Sequence, residues 1–105
     1  MNSDLNILIV DDDRRMTRTL ADILKVSGFE ATEASSGPEA LEKVRTMDFD
    51  CVISDIKLPE MDGVELHRRL HEIRPGLPVV LMTAYAADDL IHRGLEEGVA
   101  GVFDK

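Results

Sequence analysis

The stretch Leu5-Asn6-Ile7-Leu8-Ile9-Val10-Asp11-Asp12-Asp13 decides how the chain is read. An apolar run of strand length breaks abruptly into consecutive acids. Such a run predicts a buried strand. Apolar residues at successive positions leave it no wet face, so the sheet around it is expected to be covered on both sides. Working outward, the same pattern recurs at Phe29 to Ala34, Asp50 to Ser54, Pro78 to Met82 and Val99 to Phe103. Between these runs, apolar residues fall three and four apart, which is helical spacing. Met16, Leu20, Ile23, Leu24 and Ser27 form the first such face, with Arg14, Arg18, Asp22 and Lys25 largely off it. Ala40, Leu41, Val44 and Met47 form the second, Leu66, Leu70 and Ile73 the third, and Leu90, Ile91 and Leu95 the fourth, within Asp88 to Glu97.

The punctuation agrees with these elements. Gly28 and Gly98 suit helix C-terminal caps. Ser36-Gly37-Pro38-Glu39 carries a capping serine, a proline in the first turn and a closing glutamate. Pro75-Gly76 stops the third helix, and Leu58-Pro59-Glu60-Met61-Asp62-Gly63 reads as a loop. Alternating strands and helices predict an α/β fold, a doubly wound five-stranded parallel sheet with right-handed crossovers. The alternation does not settle the order of the strands.

The chain has 105 residues, enough for one domain. Its net charge of −9 argues against direct nucleic-acid binding and against anionic membranes, both of which need clustered Lys and Arg. Only 4% of residues are aromatic and none is Trp, so no stacking platform for single strands is expected. Cys51 is the single cysteine and reads as a small core residue. Neither a leader-like segment nor an apolar run of spanning length is visible, which makes a cytoplasmic protein without a membrane role the expectation.

Four of the strands end in a polar group that a core would not select. Val10 leads into Asp11-Asp12-Asp13, Ser54 into Asp55, Met82 into Thr83, and Phe103 into Asp104-Lys105. In a parallel sheet all these ends share one edge, where open α/β sheets bind ligands. Asp11, Asp12 and Asp55 brought together would repel one another. A hard cation relieves this, and ligands that are all oxygen favour Mg2+ over zinc. Magnesium commonly shares its shell with phosphate oxygens. One aspartate is then available as a nucleophile that forms an acyl phosphate, with a Thr hydroxyl and a Lys ammonium to meet the other phosphoryl oxygens.

Each residue also has a simpler local reading. Asp11 to Asp13 suit a helix N-terminus, Asp55 a turn, Thr83 a helix cap and Lys105 a solvated end. None of these explains why all occur at one sheet edge. His67 and His71 stand four apart, as metal-binding pairs do, but charged Arg68, Arg69 and Glu72 suggest a solvated face. Gly98-Val99-Ala100-Gly101 is too short for a phosphate-binding fingerprint.

Taken together, Ile9-Val10-Asp11-Asp12-Asp13, Ser54-Asp55-Ile56-Lys57-Leu58-Pro59-Glu60-Met61-Asp62-Gly63, Leu81-Met82-Thr83-Ala84-Tyr85 and Phe103-Asp104-Lys105 resemble the receiver domains of bacterial two-component response regulators. The likeness covers nearly the whole chain. It implies a flavodoxin-like fold with strand order 2-1-3-4-5 and a phosphorylation-activated switch, rather than an enzyme acting on a separate substrate. It implies Asp55 as phosphoacceptor, Thr83 and Lys105 as its helpers, and Mg2+ held by Asp11, Asp12, Asp55 and the backbone carbonyl of Lys57. Lys57 and Tyr85 would flank the phosphoryl group. The implied partners are a sensor histidine kinase or a histidine phosphotransfer protein as donor, and an output domain or protein partner as target.

Two departures accompany the likeness. Val102 stands where the family usually carries an aromatic, and the sequence reaches Lys105 without the family's last helix. The expectation is a single receiver domain over 1–105, cut before that helix, with a homodimer as one way to cover the apolar face left bare. Two other readings remain: a receiver-like interaction module that is never phosphorylated, and an aspartate-nucleophile phosphatase. The second would need a further late acid pair and leaves the Asp55 loop unexplained.

Overall fold

A computed structural model of the chain describes residues 5–84 and 89–104. Five strands, β1 (Asn6–Val10), β2 (Glu30–Ala34), β3 (Cys51–Asp55), β4 (Val79–Thr83) and β5 (Gly101–Asp104), alternate with helices α1 (Arg14–Val26), α2 (Gly37–Thr46), α3 (Gly63–Ile73) and α4 (Asp89–Glu96). All strand pairs are parallel, in the order β2-β1-β3-β4-β5. This is the doubly wound, flavodoxin-like order that the resemblance implied.

Strand alternation divides the core in two. Leu8 and Val10 of β1, Val52 of β3, and Val79 and Leu81 of β4 point to one face, where Ala40, Leu41 and Val44 of α2 and Val64, Leu66 and Leu70 of α3 cover them. Ile7 and Ile9 point to the other face, against Leu20, Ala21 and Leu24 of α1. The α1 side is the thinner cover. Helix α1 packs on β1 and β2, while Cys51, Ile53 and Val80 are only half-buried and Phe103 is 43% exposed. Burial still raises the Cys51 thiol pKa, more than the nearby Asp50 charge does.

Local chemistry explains the helix ends. Asp13 caps α1, its carboxylate accepting from the Arg15 and Met16 N–H groups. At the other end, Gly28 takes φ +97°, where a β-carbon would be strained. Ser36 caps α2 by accepting from the Glu39 N–H at 3.2 Å. Glu39 closes the turn one residue earlier than a standard capping box: its carboxylate accepts from the Ser35 N–H at 3.0 Å and the Ser35 hydroxyl at 2.8 Å. Those bonds, that of the Ser35 N–H foremost, hold its pKa below the usual range.

Several expectations need correction. Asp62 and Gly63 are the cap and first residue of α3, not the end of a loop; the Asp62 carboxylate accepts from the Glu65 N–H at 2.8 Å. Strand β5 starts at Gly101 rather than Val99, because the Val99 N–H still donates back to Gly94 of α4. Ile23, Met47 and Leu95, expected to face inward, are 55%, 43% and 53% exposed.

His67 is also misplaced by the sequence reading: it is buried, only 7% exposed. It lies three residues after Val64 and three before Leu70, both fully buried, so helical spacing places it on the inner stripe. Its Nδ1 has no hydrogen-bond partner among the described residues. Burial lowers its pKa first of all. The nearby His71 and Arg68 lower it further, against an opposing pull from Glu97. Glu97 in turn accepts from Arg68, which ties α3 to the segment after α4.

A pH dependence follows with a definite sign. Above the ordinary His value of 6.5 both folded and unfolded chains are neutral at this position and stability is complete. Below it the unfolded chain takes up the proton first, so stability falls until the pH passes the lowered folded value. Melting temperatures recorded between about pH 7.5 and about pH 5.5 should decline more steeply for the parent than for His67→Leu. Parallel curves for the two proteins would show that His67 carries no such linkage.

Candidate functional site

Parallel pairing of β1 with β3 sets Val10 beside Ser54. Asp11, the residue that follows β1, and Asp55, the last residue of β3, therefore emerge side by side at the carboxyl edge of the sheet. Asp11, Asp12 and Asp55 each offer a carboxylate oxygen within 4.8 Å of the others. Asp11 and Asp55 are buried and Asp12 is exposed. One wall of the cluster is thus inside the protein and the other open to water.

Backbone contacts fix the two buried acids. The Asp11 N–H donates to the Ala34 carbonyl at 3.1 Å, and the Asp11 carboxylate accepts from the Asp13 N–H at 3.0 Å. The Asp55 carboxylate accepts from the Lys57 N–H at 3.3 Å. The Ile56 N–H donates to the Met82 carbonyl at 2.8 Å, which carries the β3–β4 pairing one residue past Asp55. Thr83 is the last residue of β4 and is buried beside this edge. It is not a cap of α4, whose first residue is Asp89.

The acid run therefore divides. Asp13 does what a helix N-terminus asks, while Asp11 and Asp12 join Asp55. Lys105 and Tyr85 lie outside the described residues. Arg14, Arg15 and Arg18 of α1 line an open cleft of about 460 Å³ with Glu33 and Glu39. Spacing alone placed two of these arginines off the apolar face without showing what they border.

The residues fit a hard cation. Three carboxylates of like charge within 4.8 Å, two of them buried, provide an all-oxygen donor set for a divalent ion. Imidazole and thiol are absent from this cluster, which disfavours zinc.

The model of the response regulator receiver domain family matches residues 7–105. The chain belongs to the response-regulator receiver family. It is 40% identical over 98 residues to a response regulator receiver protein of Anaeromyxobacter sp. (strain Fw109-5), covering 93% of this chain and 41% of that protein. It thus spans less than half of that relative's length. Among solved structures, a CheY-like receiver domain protein from Methanospirillum hungatei JF-1 superposes with a TM-score of 0.92 at 35% identity, over 98% of this chain and 82% of the other. The response regulator TrrA of Thermotoga maritima, solved with Mg(2+)-BeF, superposes with a TM-score of 0.83 at 28% identity, over 96% and 86%. No helix among the described residues is long and apolar enough to cross a membrane.

In this receiver the loop after Asp55 closes on itself. The Gly63 N–H donates to the Ile56 carbonyl at 2.7 Å. A β-carbon at Gly63 would lie 2.7 Å from the Asp55 carbonyl oxygen and 3.0 Å from the Ile56 Cα. Both are backbone atoms, so neither can swing aside. Gly63→Ala should therefore destabilise the fold by about 1–3 kcal/mol, as overpacking does. Urea unfolding measures it, and a midpoint equal to the parent's would show that the loop yields freely.

Proposed function

We propose that this receiver takes a phosphoryl group onto Asp55 from a phosphohistidine of a sensor kinase or histidine phosphotransfer protein in the cytoplasm, and passes the signal to an output domain or protein partner. The observation that carries this reading is the cluster itself: three aspartates within 4.8 Å at the edge where parallel α/β sheets bind ligands. The Mg(2+)-BeF held by the structurally similar TrrA supports it.

In this reading a carboxylate oxygen of Asp55 bonds to phosphorus while the donor's P–N bond breaks and the imidazole nitrogen takes up a proton. The Thr83 hydroxyl and the Lys105 ammonium meet the other phosphoryl oxygens as their charge develops. Asp11, Asp12, Asp55 and the Lys57 carbonyl would hold Mg2+. When bound, the ion supplies positive charge against the carboxylates and phosphoryl oxygens. The Lys57 N–H bond to Asp55 orients the acceptor carboxylate. Val102, half-buried and packed on the main core, stands where the family usually has its aromatic. The readout is therefore proposed to run through Thr83 and the segment after it rather than through a rotating ring.

Two outcomes follow. Incubation with phosphoramidate and magnesium should add one phosphoryl group by intact-mass spectrometry, and Asp55→Asn should add none, because an amide does not attack phosphorus as a carboxylate does. Equal labelling of the variant would move the acceptor elsewhere. Magnesium should raise the melting temperature, with a gain of about 2.7 kcal/mol at one hundred times its dissociation constant. Asp12→Ala should abolish that response while leaving metal-free stability equal or higher, since like-charge repulsion is relieved. A full response in Asp12→Ala would place the ion outside this cluster.

A further inference from the structure

The turn joining β2 to α2 lies between two segments that carry the acids: its ends meet Asp11 and the loop that follows Asp55. At one end the Ala34 carbonyl accepts from the Asp11 N–H at 3.1 Å. At the other end Gly37, the first residue of α2, is buried against Met61. A β-carbon at Gly37 would lie 2.6 Å from Met61 Cγ, 2.7 Å from Sδ and 3.2 Å from Cε. The thioether thus fills the space that a side chain at position 37 would occupy.

The backbone at Gly37 does not itself demand glycine. The described glycines with positive φ are Gly28 and Gly98, and alanine is the better helix former. What glycine permits here is the close approach of Met61.

Met61 belongs to the loop between Asp55 and Gly63. The base of that loop is held by the Gly63–Ile56 and Lys57–Asp55 bonds. Farther out, Lys57, Pro59 and Glu60 are exposed. Leu58 and Met61 are the half-buried anchors that pack on the core. We propose that Met61, seated on Gly37, is a positioning residue that sets the Lys57 carbonyl against Asp11 and Asp12. This deepens, and rests on, the metal reading of the preceding section. The β2–α2 turn then acts as a bracket between the two segments that carry the metal ligands. Magnesium requires near-ideal octahedral geometry, so a displaced loop registers in its affinity before it registers in the fold.

Calorimetric titration of the whole chain with Mg2+ alone tests this, using Gly37→Ala, Met61→Ala, Met61→Leu and the Gly37→Ala/Met61→Ala double variant. Gly37→Ala and Met61→Ala should each weaken Mg2+ binding about tenfold, as loss of a supporting contact around a metal site does, with the far-UV circular dichroism of the parent retained. The double variant should be no weaker than the weaker single, because both changes act through one contact. Met61→Leu should keep nearly the parent affinity. Unchanged affinity in both single variants, or losses that add in the double, would overturn the inference. If Asp12→Ala abolishes binding while Gly37→Ala leaves it intact, this inference alone fails. If the parent binds no Mg2+, the metal reading fails with it.

Discussion

Three carboxylates forced together at one sheet edge are the constraint around which this fold is arranged. Asp11 and Asp55 are buried within reach of each other and of Asp12. Nothing in their mutual charge favours the arrangement. Parallel pairing of β1 with β3 imposes it, and the apolar core beneath β1, β3 and β4 drives that pairing. Burial elsewhere thus holds the three acids together, as an all-oxygen donor set that fits a divalent ion.

Close backbone approach is the second element of the design. The loop that returns from Asp55 to α3 passes so near its own start that only glycine fits at position 63. Glycine at position 37 likewise admits Met61 between loop and helix. Neither position requires an unusual backbone angle. These glycines matter for the space they leave open.

The two faces of the sheet are unequal. Helices α2, α3 and α4 share the face with the larger core. Helix α1 covers β1 and β2 on the other, leaving Cys51, Ile53 and Val80 half-buried. Buried His67 belongs to the well-covered side. Its neighbours Arg68, Arg69 and Glu72 suggested a wet face because charge is easy to see in a sequence. The three-residue spacing to Val64 and Leu70 was the better guide, because side-chain direction on a helix follows turn geometry and not the character of adjacent residues.

Element order, the parallel sheet and the clustering of strand-end acids were legible in the residues themselves, because apolar periodicity is a local property and parallel strands share one functional edge. The caps Ser36 and Gly28 were legible for the same local reason. Asp11 and Asp12 were already legible as ligand candidates, but the separate role of Asp13 was not: each is an aspartate after a strand, and only the folded start of α1 shows that Asp13 alone serves as its cap. The exposure of Ile23 and Leu95 and the seat of Met61 on Gly37 were also beyond local reading. Each depends on which element lies opposite, and contacts between segments distant in sequence exist only once the sheet has set their positions.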